Sequence, residues 1–463
     1  MKLIYNVKDR PSFPRTLIFA LQQMLAILAA TIAVPSIVGN GMSQSAALFG
    51  AGAGTLVYLC FTKFKSPVFL GSSFAFINSM LAAFAGAVSA SAGYLGILLG
   101  AIMAGLVYVI IAILIKFFGV NWIEKCMPAV VIGPTVAIIG LSLAGNAVGD
   151  LFKGSVTRTD LIWSIVDGAP KLVETATPVA NTYLALICGL VTLAVTVVCS
   201  VYGKKMVKMI PFIIGILAGY SLAAILTVIG HVASIDSMLI IDFSKFNNMQ
   251  WYPDFTFLQI FKGGFEFGEG GFGAYLATVA VAYVPVSFVV FAEHIADHKN
   301  ISSIIETDLL KDPGLDNTLL GDGVGSMVGA VFGGCPNTTY GESVGCVAIS
   351  GNASVVTILT TAIMAIVASF LAPFVTFLAT IPSCVMGGVC VALYGFIAVS
   401  GLKMLQKVDL EDNRNLFVAS VILIAGIGGM VLKFGRVTIT SIACALILGI
   451  LTNVLVNLKK KDI

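Results

Sequence analysis

The sequence predicts an all-α polytopic membrane protein with fourteen transmembrane segments in two inverted repeats of seven, and with short extended pieces in the third and tenth segments. Three observations predict this fold: the composition, the number of apolar stretches, and a motif that recurs seven segments later. Of the 463 residues, 58% are hydrophobic and only 11% are charged, whereas soluble domains carry roughly 25% charged residues. Most of the chain must therefore be surrounded by lipid.

Ten apolar stretches are long enough to cross a bilayer as uninterrupted helices, for which roughly 17–25 residues are needed. They lie near 16–38, 46–64, 93–116, 128–146, 182–203, 209–230, 354–380, 383–402, 415–433 and 438–457. Four more are apolar but interrupted by Gly, Pro, Ser, Thr and a few acids, namely 67–84, 272–305, 319–334 and 336–350. Counted in chain order, these stretches are spans 1 to 14.

The positive charges support this count. If both termini are cytoplasmic, 19 of the 26 Lys and Arg residues lie on the cytoplasmic side, where short loops concentrate them. Five of the other seven fall in the long loops 147–181 and 231–271, to which the rule applies least. The net charge of +3 gives no reason to expect a nucleic-acid partner. We therefore expect a multi-pass protein of the cytoplasmic (inner) membrane.

A short motif recurs at an interval of seven spans. Pro128-x-x-Val131-x-Gly133 opens span 5, and Pro382-x-x-Val385-x-Gly387 opens span 12. An odd number of spans in each half inserts the second half upside down, as in transporters built from inverted repeats. The motif therefore predicts a seven-plus-seven inverted repeat.

Spans 3 and 10 are broken at corresponding places in the two halves. Span 3 contains Pro67 and Gly71, and span 10 contains Pro336 and Gly341. Irregular backbone at membrane depth is tolerated only where it lines a protected cavity. We predict that each span is a short extended piece followed by a half-helix, and that the two helix N-termini form a polar site near the bilayer centre.

Acidic residues point to the same region. Nearly all of the 23 acids can be placed in loops or at span ends, but Glu293 and Glu342 cannot. Ionisable groups near the bilayer centre are costly and therefore suggest function. Asp297 and His298 follow one turn later on span 8, where we expect them to line the cytoplasmic exit. His294 and His298 could share a metal ion, but no third ligand is suitably spaced, so we predict no metal.

Two groups of glycines have simpler explanations. Gly321, Gly325, Gly329 and Gly333 recur every four residues and predict a flat helix face for close packing. The cluster between Gly263 and Gly273 lacks the Lys-Ser/Thr that follows a phosphate-binding loop. We interpret it as a flexible connection to span 8 and predict no nucleotide or other cofactor.

The sequence resembles the nucleobase–ascorbate transporters (nucleobase:cation symporter-2 family), and within them the bacterial uracil permeases. The resemblance covers essentially the whole chain and rests on six motifs in the same order. They are Leu21-Gln22-Gln23 with Ala30-Thr31 and Val34-Pro35; Gly71-Ser-Ser-Phe74-Ala-Phe76; Ala292-Glu293-His294; Asp308-Leu-Leu-Lys-Asp-Pro-Gly314-Leu; Pro336-Asn-Thr-Thr-Tyr-Gly-Glu342; and Val385-Met-Gly-Gly with Tyr394-Gly395.

The resemblance implies a core domain (1–118 and 272–380), a gate domain (119–271 and 381–463), and a possible homodimer through the gate domain. It implies that Glu293 and Glu342 bind the base, that the backbone near Phe74 and Gly341 contacts its carbonyls, and that four side chains pack on its ring: Ala30, Phe74, Tyr340 and Tyr394. Relatives often have His where this chain has Gln23 or Asp297, so proton-relay roles of those histidines cannot be transferred. His298, one residue after Asp297, would face about 100° away from it on the helix.

Uracil matches this site chemically, since carboxylate acceptors and backbone N–H donors complement its N–H and carbonyl groups. Two acids held close in a low dielectric disfavour the doubly charged state, which makes Glu293 and Glu342 the first candidates for proton coupling, with Asp297 and His298 as further ones. The sequence thus predicts a proton-coupled uracil symporter. Xanthine, uric acid or ascorbate uptake and an anion transporter of the same fold remain alternatives. The sequence contains no recognisable nucleophile–base arrangement, so we do not expect an enzyme.

Overall fold

The computed structural model describes residues 3–119, 128–166, 169–204, 206–268, 270–434 and 437–458. Met127, Lys205 and the terminal lysines therefore lie outside the described residues. The longer helices are named in chain order: α1 Phe13–Val38, α2 Gln44–Phe61, α3 Ile77–Ala85, α4 Ala90–Phe118, α5 Ala129–Ser142, α6 Ala144–Asp150, α7 Thr182–Tyr202, α8 Pro211–Ala233, α9 Gly271–Ile305, α10 Leu315–Gly333, α11 Gly341–Ser350, α12 Val355–Ala368, α13 Ala372–Thr380, α14 Ser383–Leu405, α15 Asn413–Ile427 and α16 Ser441–Asn457.

The remaining regular elements are short strands and single helical turns. The strands are β1 Leu70–Ser72, β2 Thr157–Val166, β3 Ala169–Pro178, β4 Asn337–Thr339, β5 Leu432–Phe434 and β6 Val437–Ile439, paired antiparallel as β1–β4, β2–β3 and β5–β6. The helical turns are Phe74–Phe76, Met206–Met209, Asp236–Met238, Phe243–Asn248, Thr256–Gln259 and the wider turn Leu310–Gly314.

Many of the described helices are long and apolar enough to cross a membrane, which makes the chain a multi-pass membrane protein. By length and composition, eight segments of the described chain qualify. They are α1, α2, α4, α5 together with α6, α7, α8, α9 and α14. Three shorter apolar helical segments are Phe74–Ala85, α15 and α16.

The stretch 354–380, predicted as one uninterrupted helix, is broken in the structure. The helix that begins at Val355 ends at Ala368, and a second helix begins at Ala372. Pro373 explains the break: its ring would clash with the carbonyl group of Ser369, four residues earlier, in a continuous helix, and it has no N–H to donate. The stretch is therefore two short helices rather than one long one.

The all-α prediction also needs correction. The stretch 147–181, predicted as a loop, contains the ten-residue strands β2 and β3, paired from Thr157↔Pro178 to Val166↔Ala169. Its sequence is rich in β-branched residues, and Asp167-Gly168, which lies outside the described residues, is a typical hairpin signal. A second hairpin, made of the three-residue strands β5 and β6, lies between α15 and α16. Length and hydropathy alone do not separate such hairpins from loops.

The described chain forms two compact units, of which the larger contains the predicted binding residues. It consists of Met1–Leu143, Trp251–Leu371 and Leu393–Ile463, and within it α10 packs against both α2 and α4, while α9 packs against α3 and α4. The smaller unit consists of Ala144–Gln250 and Ala372–Ala392. In it α7 packs against α8, and β2 pairs with β3.

The glycine stripe of α10 is a packing face, as predicted. A Cβ on Gly333 would lie 2.6 Å from Ala47 Cα, and one on Gly325 would lie 2.8 Å from the Gly54 carbonyl oxygen, both in α2. Real Cβ atoms do not approach backbone so closely, so the two helices touch through their backbones. This close contact holds α10 in place beside the strand that precedes α11.

Replacing Gly50 in α2 by Ala is expected to lower thermal stability. The added Cβ would lie 2.5 Å from the Gly329 carbonyl oxygen of α10, and overpacking of this kind costs about 1–3 kcal/mol. Gly345→Ala is the matched control, since a Cβ there meets nothing within 4 Å. Fluorescence-monitored size-exclusion after heating measures both variants in detergent. Equal melting temperatures for the two would contradict the backbone contact.

Candidate functional site

Two broken segments meet in the larger unit through a short antiparallel strand pair. β1 and β4 pair in the register Leu70↔Thr339, Gly71↔Thr338 and Ser72↔Asn337. Two further bonds extend the pairing at its ends: the Ser73 N–H donates to the Pro336 carbonyl (2.9 Å), and the Tyr340 N–H donates to the Phe69 carbonyl (3.2 Å). Both strands are fully buried and satisfy each other's backbone groups.

Helical segments start immediately after both strands. Phe74–Phe76 leads into α3, and α11 begins at Gly341 with Glu342 in its first turn. The first N–H groups of a helix have no partner within it, and the helix dipole adds partial positive charge at that end. Two sets of polarised N–H donors are therefore held at one place by the β1–β4 pair.

Tyr340 fixes the geometry of this junction. Its hydroxyl donates to the Ser72 carbonyl oxygen at 2.8 Å. The ring lies so close to Gly71 that a Cβ there would overlap it. Glycine is therefore required at position 71, which explains part of the span 3 motif.

Four acidic side chains lie around the same junction. Glu293 of α9 and Glu342 of α11 are half-buried, and the charges of Asp297 and Asp322 act on Glu293 together with that of Glu342. Asp297 Oδ2 accepts a hydrogen bond from Thr339 Oγ1 at 2.9 Å. Asp297 Oδ1 lies 3.7 Å from the point where a Gly341 Cβ would stand, and no other heavy atom from outside the adjoining chain of α11 lies within 4 Å of that point. Asp297 thus faces the start of α11 across open space.

Aromatic side chains border this acidic group. The rings of Phe74 and Tyr394 are 5.7 Å apart and nearly perpendicular, and Phe76 stacks on Tyr283 at 5.5 Å. Ala30 is buried in α1, which packs against β1 and α11. The structure thus places six of the predicted residues around one junction, Glu293, Glu342, Phe74, Gly341, Tyr340 and Tyr394, with Ala30 in the adjoining helix α1.

Gln23 occupies a structural position at this junction. Its Nε2 donates to Ser343 Oγ at 2.5 Å, and the Phe69 N–H donates to the same oxygen at 3.0 Å. Ser343 is the third residue of α11 and is fully buried. The amide therefore links α1 to the start of α11, which is a positioning role that needs no proton transfer.

Asp322 is the residue that the sequence interpretation missed. It was grouped with the acids at span ends, but it is completely buried in α10, and its Oδ2 lies 2.7 Å from His294 Nδ1. His294 Nε2 lies 3.1 Å from Thr318 Oγ1. α10 begins at Leu315, four residues before the predicted span, so Asp322 sits two turns inside the helix.

His298 is also fully buried, between α9 and α2. Its Nδ1 is 2.8 Å from the His294 carbonyl oxygen, and its Nε2 is 2.7 Å from the Tyr58 hydroxyl. Both ring nitrogens are therefore hydrogen-bonded, and the ring has no exposed side in this conformation. Within the described residues, no group of three or more His, Cys, Asp or Glu side chains is arranged to hold a metal ion.

A protein-family model described as "Permease family" matches residues 14–434. The chain belongs to this family. The nucleobase–ascorbate transporter membership predicted from the six motifs is thus confirmed. Members of the family are permeases and not enzymes, which agrees with the prediction from the sequence.

Several curated permeases are similar to the chain over nearly its whole length. A uracil permease of Bacillus caldolyticus is 37% identical over 98% of this chain and 95% of its own. A uracil permease of Bacillus subtilis (strain 168) is 35% identical, covering 100% and 97%. A uracil permease of Escherichia coli (strain K12) is 33% identical, covering 96% and 92%.

Solved structures of more distant permeases share the fold. The transmembrane domain of a cyanobacterium bicarbonate transporter, BicA, superposes with a TM-score of 0.61 at 15% identity, covering 97% of this chain and all of that one. The murine anion transporter Slc26a9 gives 0.62 at 11% identity, covering 98% and 70%. The chain therefore shares the fold of these two proteins.

Proposed function

We propose that the chain imports uracil across the cytoplasmic membrane together with protons. The observation that carries this proposal is the meeting of two N–H-rich helix starts, at Phe74 and Gly341, with the carboxylates of Glu293 and Glu342. Uracil offers ring N–H donors beside carbonyl acceptors, and this junction offers the complementary groups. Full-length similarity to proteins named uracil permeases supports the same substrate.

The residues around the junction would have distinct roles in binding the base and the proton. Glu293 and Glu342 accept the N–H groups of the base, the backbone N–H groups near Phe74 and Gly341 donate to its carbonyls, and Tyr340 and Tyr394 pack on its ring with Phe74 and Ala30. Carboxylates confined together favour taking up a proton, so Glu293, Glu342 and Asp297 are the coupling candidates.

The proposed architecture is fourteen spans in a seven-plus-seven inverted repeat, with both termini cytoplasmic. The core domain comprises 1–118 and 272–380, and the gate domain comprises 119–271 and 381–463, through which a homodimer would form. Support comes from the place of β1 in span 3 and of β4 in span 10, seven spans apart. Alternating access would then move one domain past the other around the β1–β4 junction.

An anion substrate fits the site less well, although carriers of anions share the fold. No Lys or Arg side chain is buried among the described residues, while four carboxylates gather at the junction. Such a site repels anions, because selectivity in transporters follows the charge of the lining groups. The similarity of fold therefore does not imply that this chain transports the substrates of those carriers.

The test measures ligand-dependent stabilisation and then proton-driven uptake. Uracil at a hundred times its dissociation constant should stabilise the purified protein by about 2.7 kcal/mol, while xanthine, uric acid and ascorbate should leave it unchanged. In vesicles whose exterior is one pH unit more acidic than the interior, symport of one proton per uracil should support roughly tenfold accumulation of uracil. Stabilisation by xanthine alone, or uptake that ignores a protonophore, would overturn the proposal.

A further inference from the structure

Two extended segments of the larger unit lie against the ends of α3 and α11 that are remote from the β1–β4 junction. The N-terminal strap, residues 4–9, runs beside the turn between α11 and α12. The central strap, residues 259–267, runs beside the turn between α3 and α4. Because both half-helices lead away from the junction, each strap contacts the far end of a helix that carries part of the proposed binding site.

Backbone hydrogen bonds fasten the N-terminal strap to the end of α11. The N–H groups of Ile4 and Tyr5 donate to the Gly351 carbonyl oxygen at 2.7 and 3.2 Å. The Ala353 N–H donates to the Tyr5 carbonyl oxygen at 2.9 Å, and Tyr5 pairs with Asn352 in a parallel bridge. Gly351 ends α11 in the left-handed conformation, with φ 67°. The strap thus binds the residue at which the helix stops.

Tyr5 also anchors the N-terminal strap to α1. Its hydroxyl accepts a hydrogen bond from Arg15 Nη1 at 2.8 Å, and its ring lies edge-on to Phe19 with the ring centroids 6.0 Å apart. Arg15 and Phe19 belong to the first two turns of α1, and α1 packs against β1 and α11. The strap therefore connects the far end of α11 to the helix that adjoins the junction.

The central strap holds the end of α3 in a similar way. The Val88 N–H donates to the Glu266 carbonyl oxygen at 3.0 Å, and Ala87, two residues after α3, forms an antiparallel bridge with Phe267. The Phe267 ring lies 5.1 Å from that of Tyr275 in α9. The Tyr275 hydroxyl donates to a carbonyl oxygen in the last turn of α3 at 2.9 Å. This strap is thus joined both to the turn after α3 and to α9.

The two straps occupy corresponding places in the predicted inverted repeat. The N-terminal strap precedes α1, which opens the first half, and the central strap precedes α9, which opens the second half. α3 belongs to the first half and α11 to the second, so each half holds the broken helix of the other. The predicted topology puts the straps on opposite sides of the membrane. Recurrence in both halves indicates a role in transport rather than a feature of one loop.

α11 is short enough for a displacement of one end to reach the other. Its ten residues span about 15 Å, and Glu342 lies in the first turn. The helix packs against α1 and α9, and it follows β4 after one residue of extended backbone. The strap fixes the opposite end. Without it, contacts along the side of the helix would have to fix the position of Glu342 alone.

We propose that the N-terminal strap is a positioning element that holds α11 where Glu342 meets the base, with Tyr5 as its anchoring residue, and that the central strap does the same for α3. This inference rests on the proposed binding of uracil at the junction. A detached strap lets the half-helix occupy several positions. The affinity for uracil then falls in proportion to the fraction of molecules with the correct one.

Uracil binding and exchange by the full-length protein test the N-terminal strap. Tyr5→Ala removes the bond from Arg15 and the contact with Phe19, and it should raise the dissociation constant roughly tenfold if about a tenth of the molecules keep α11 correctly placed. Exchange of external labelled uracil for internal uracil should keep its maximal rate, because saturating uracil restores the correct position. Tyr5→Phe, which keeps the ring, should bind with intermediate affinity. Lys8→Ala is the control, since Lys8 is exposed in the same strap.

A disulfide between the strap and the turn after α11 separates positioning from a general loss of structure. Tyr5 and Asn352 face each other in the bridge, and paired strands lie about 4.8 Å apart, within the range of about 4.4–6.8 Å that disulfides join. Tyr5→Cys/Asn352→Cys should bind uracil weakly when reduced and with wild-type affinity when oxidised. Tyr5→Cys alone should bind weakly in both conditions.

Phe267→Ala tests the central strap. It removes the ring contact with Tyr275 and should weaken uracil binding by a similar factor, again with an unchanged maximal exchange rate. Phe265→Ala is the matched control, because the Phe265 side chain is exposed two residues earlier in the same strap. Its dissociation constant for uracil should equal that of the wild type.

The outcomes distinguish the straps from the proposed function. Wild-type affinity in both Tyr5→Ala and Phe267→Ala would overturn the positioning role, even if melting temperatures fall. Equal affinity of the oxidised and reduced forms of Tyr5→Cys/Asn352→Cys would overturn it as well, and so would a fall in the maximal exchange rate without a change in affinity. If the wild-type protein does not bind uracil, the proposed function itself fails.

Discussion

Replacing Glu342 by Gln is expected to abolish proton-driven uracil accumulation while the protein still inserts and folds. The carboxylate stands in the first turn of α11, where the first backbone N–H groups have no partner within the helix. Gln conserves volume but replaces one oxygen by a donor that opposes the N–H groups of both the helix start and the base. Hydrogen bonds to a charged group contribute about 1.5–3 kcal/mol, and the proton-binding site is lost as well.

Glu293→Gln should give the same phenotype, because Glu293 lies in the middle of α9 among the same acids. Uptake of labelled uracil in vesicles with an acidic exterior measures the effect, and detergent-solubilised yield measures insertion. Glu411→Gln is a matched control, since Glu411 is exposed in the loop before α15. Wild-type accumulation in either Glu293→Gln or Glu342→Gln would contradict the assigned site.

Local chemistry visible in the sequence favours an interruption in both broken segments. Pro67 and Pro336 cannot continue a hydrogen-bonded helix, and Gly71 permits the close approach of Tyr340, so both interruptions could be anticipated from single residues. The register of β1 against β4 could not be anticipated from the sequence, since pairing depends on contacts between segments about 270 residues apart in the chain. Likewise, Thr339 as the partner of Asp297 became visible only once β4 was placed beside α9.

The errors have physical reasons of the same kind. Hydropathy placed Asp322 at the edge of a span because the preceding polar residues, Asp316 and Asn317, resemble a loop, yet they form the first turn of α10. The position of His298 at the cytoplasmic exit stays a prediction. Its hydrogen bond to Tyr58 of α2 depends on how α2 and α9 pack, which the period of one helix does not specify.

The pair formed by His294 and Asp322 should be a strong determinant of stability. Both side chains are completely buried and 2.7 Å apart. Removing one member of a buried pair typically costs about 3–5 kcal/mol, because it leaves an uncompensated polar or charged group. The exposed pair of Lys65 and Asp312 offers the contrast, since surface pairs contribute about 0–1 kcal/mol.

The two single substitutions should differ in size. His294→Leu leaves the Asp322 carboxylate in an apolar environment without a donor, whereas Asp322→Asn leaves an imidazole that can remain neutral and keep its bond to Thr318. We therefore expect melting temperatures to fall most for His294→Leu, less for Asp322→Asn, and little for the control Asp312→Asn. In the double variant His294→Leu/Asp322→Asn the loss should be smaller than the sum of the single losses, because the one interaction that each substitution breaks is lost only once. Additive losses would mean that the two residues stabilise the protein independently, and Asp322 would then lose its assigned role of holding His294 beside the acidic junction.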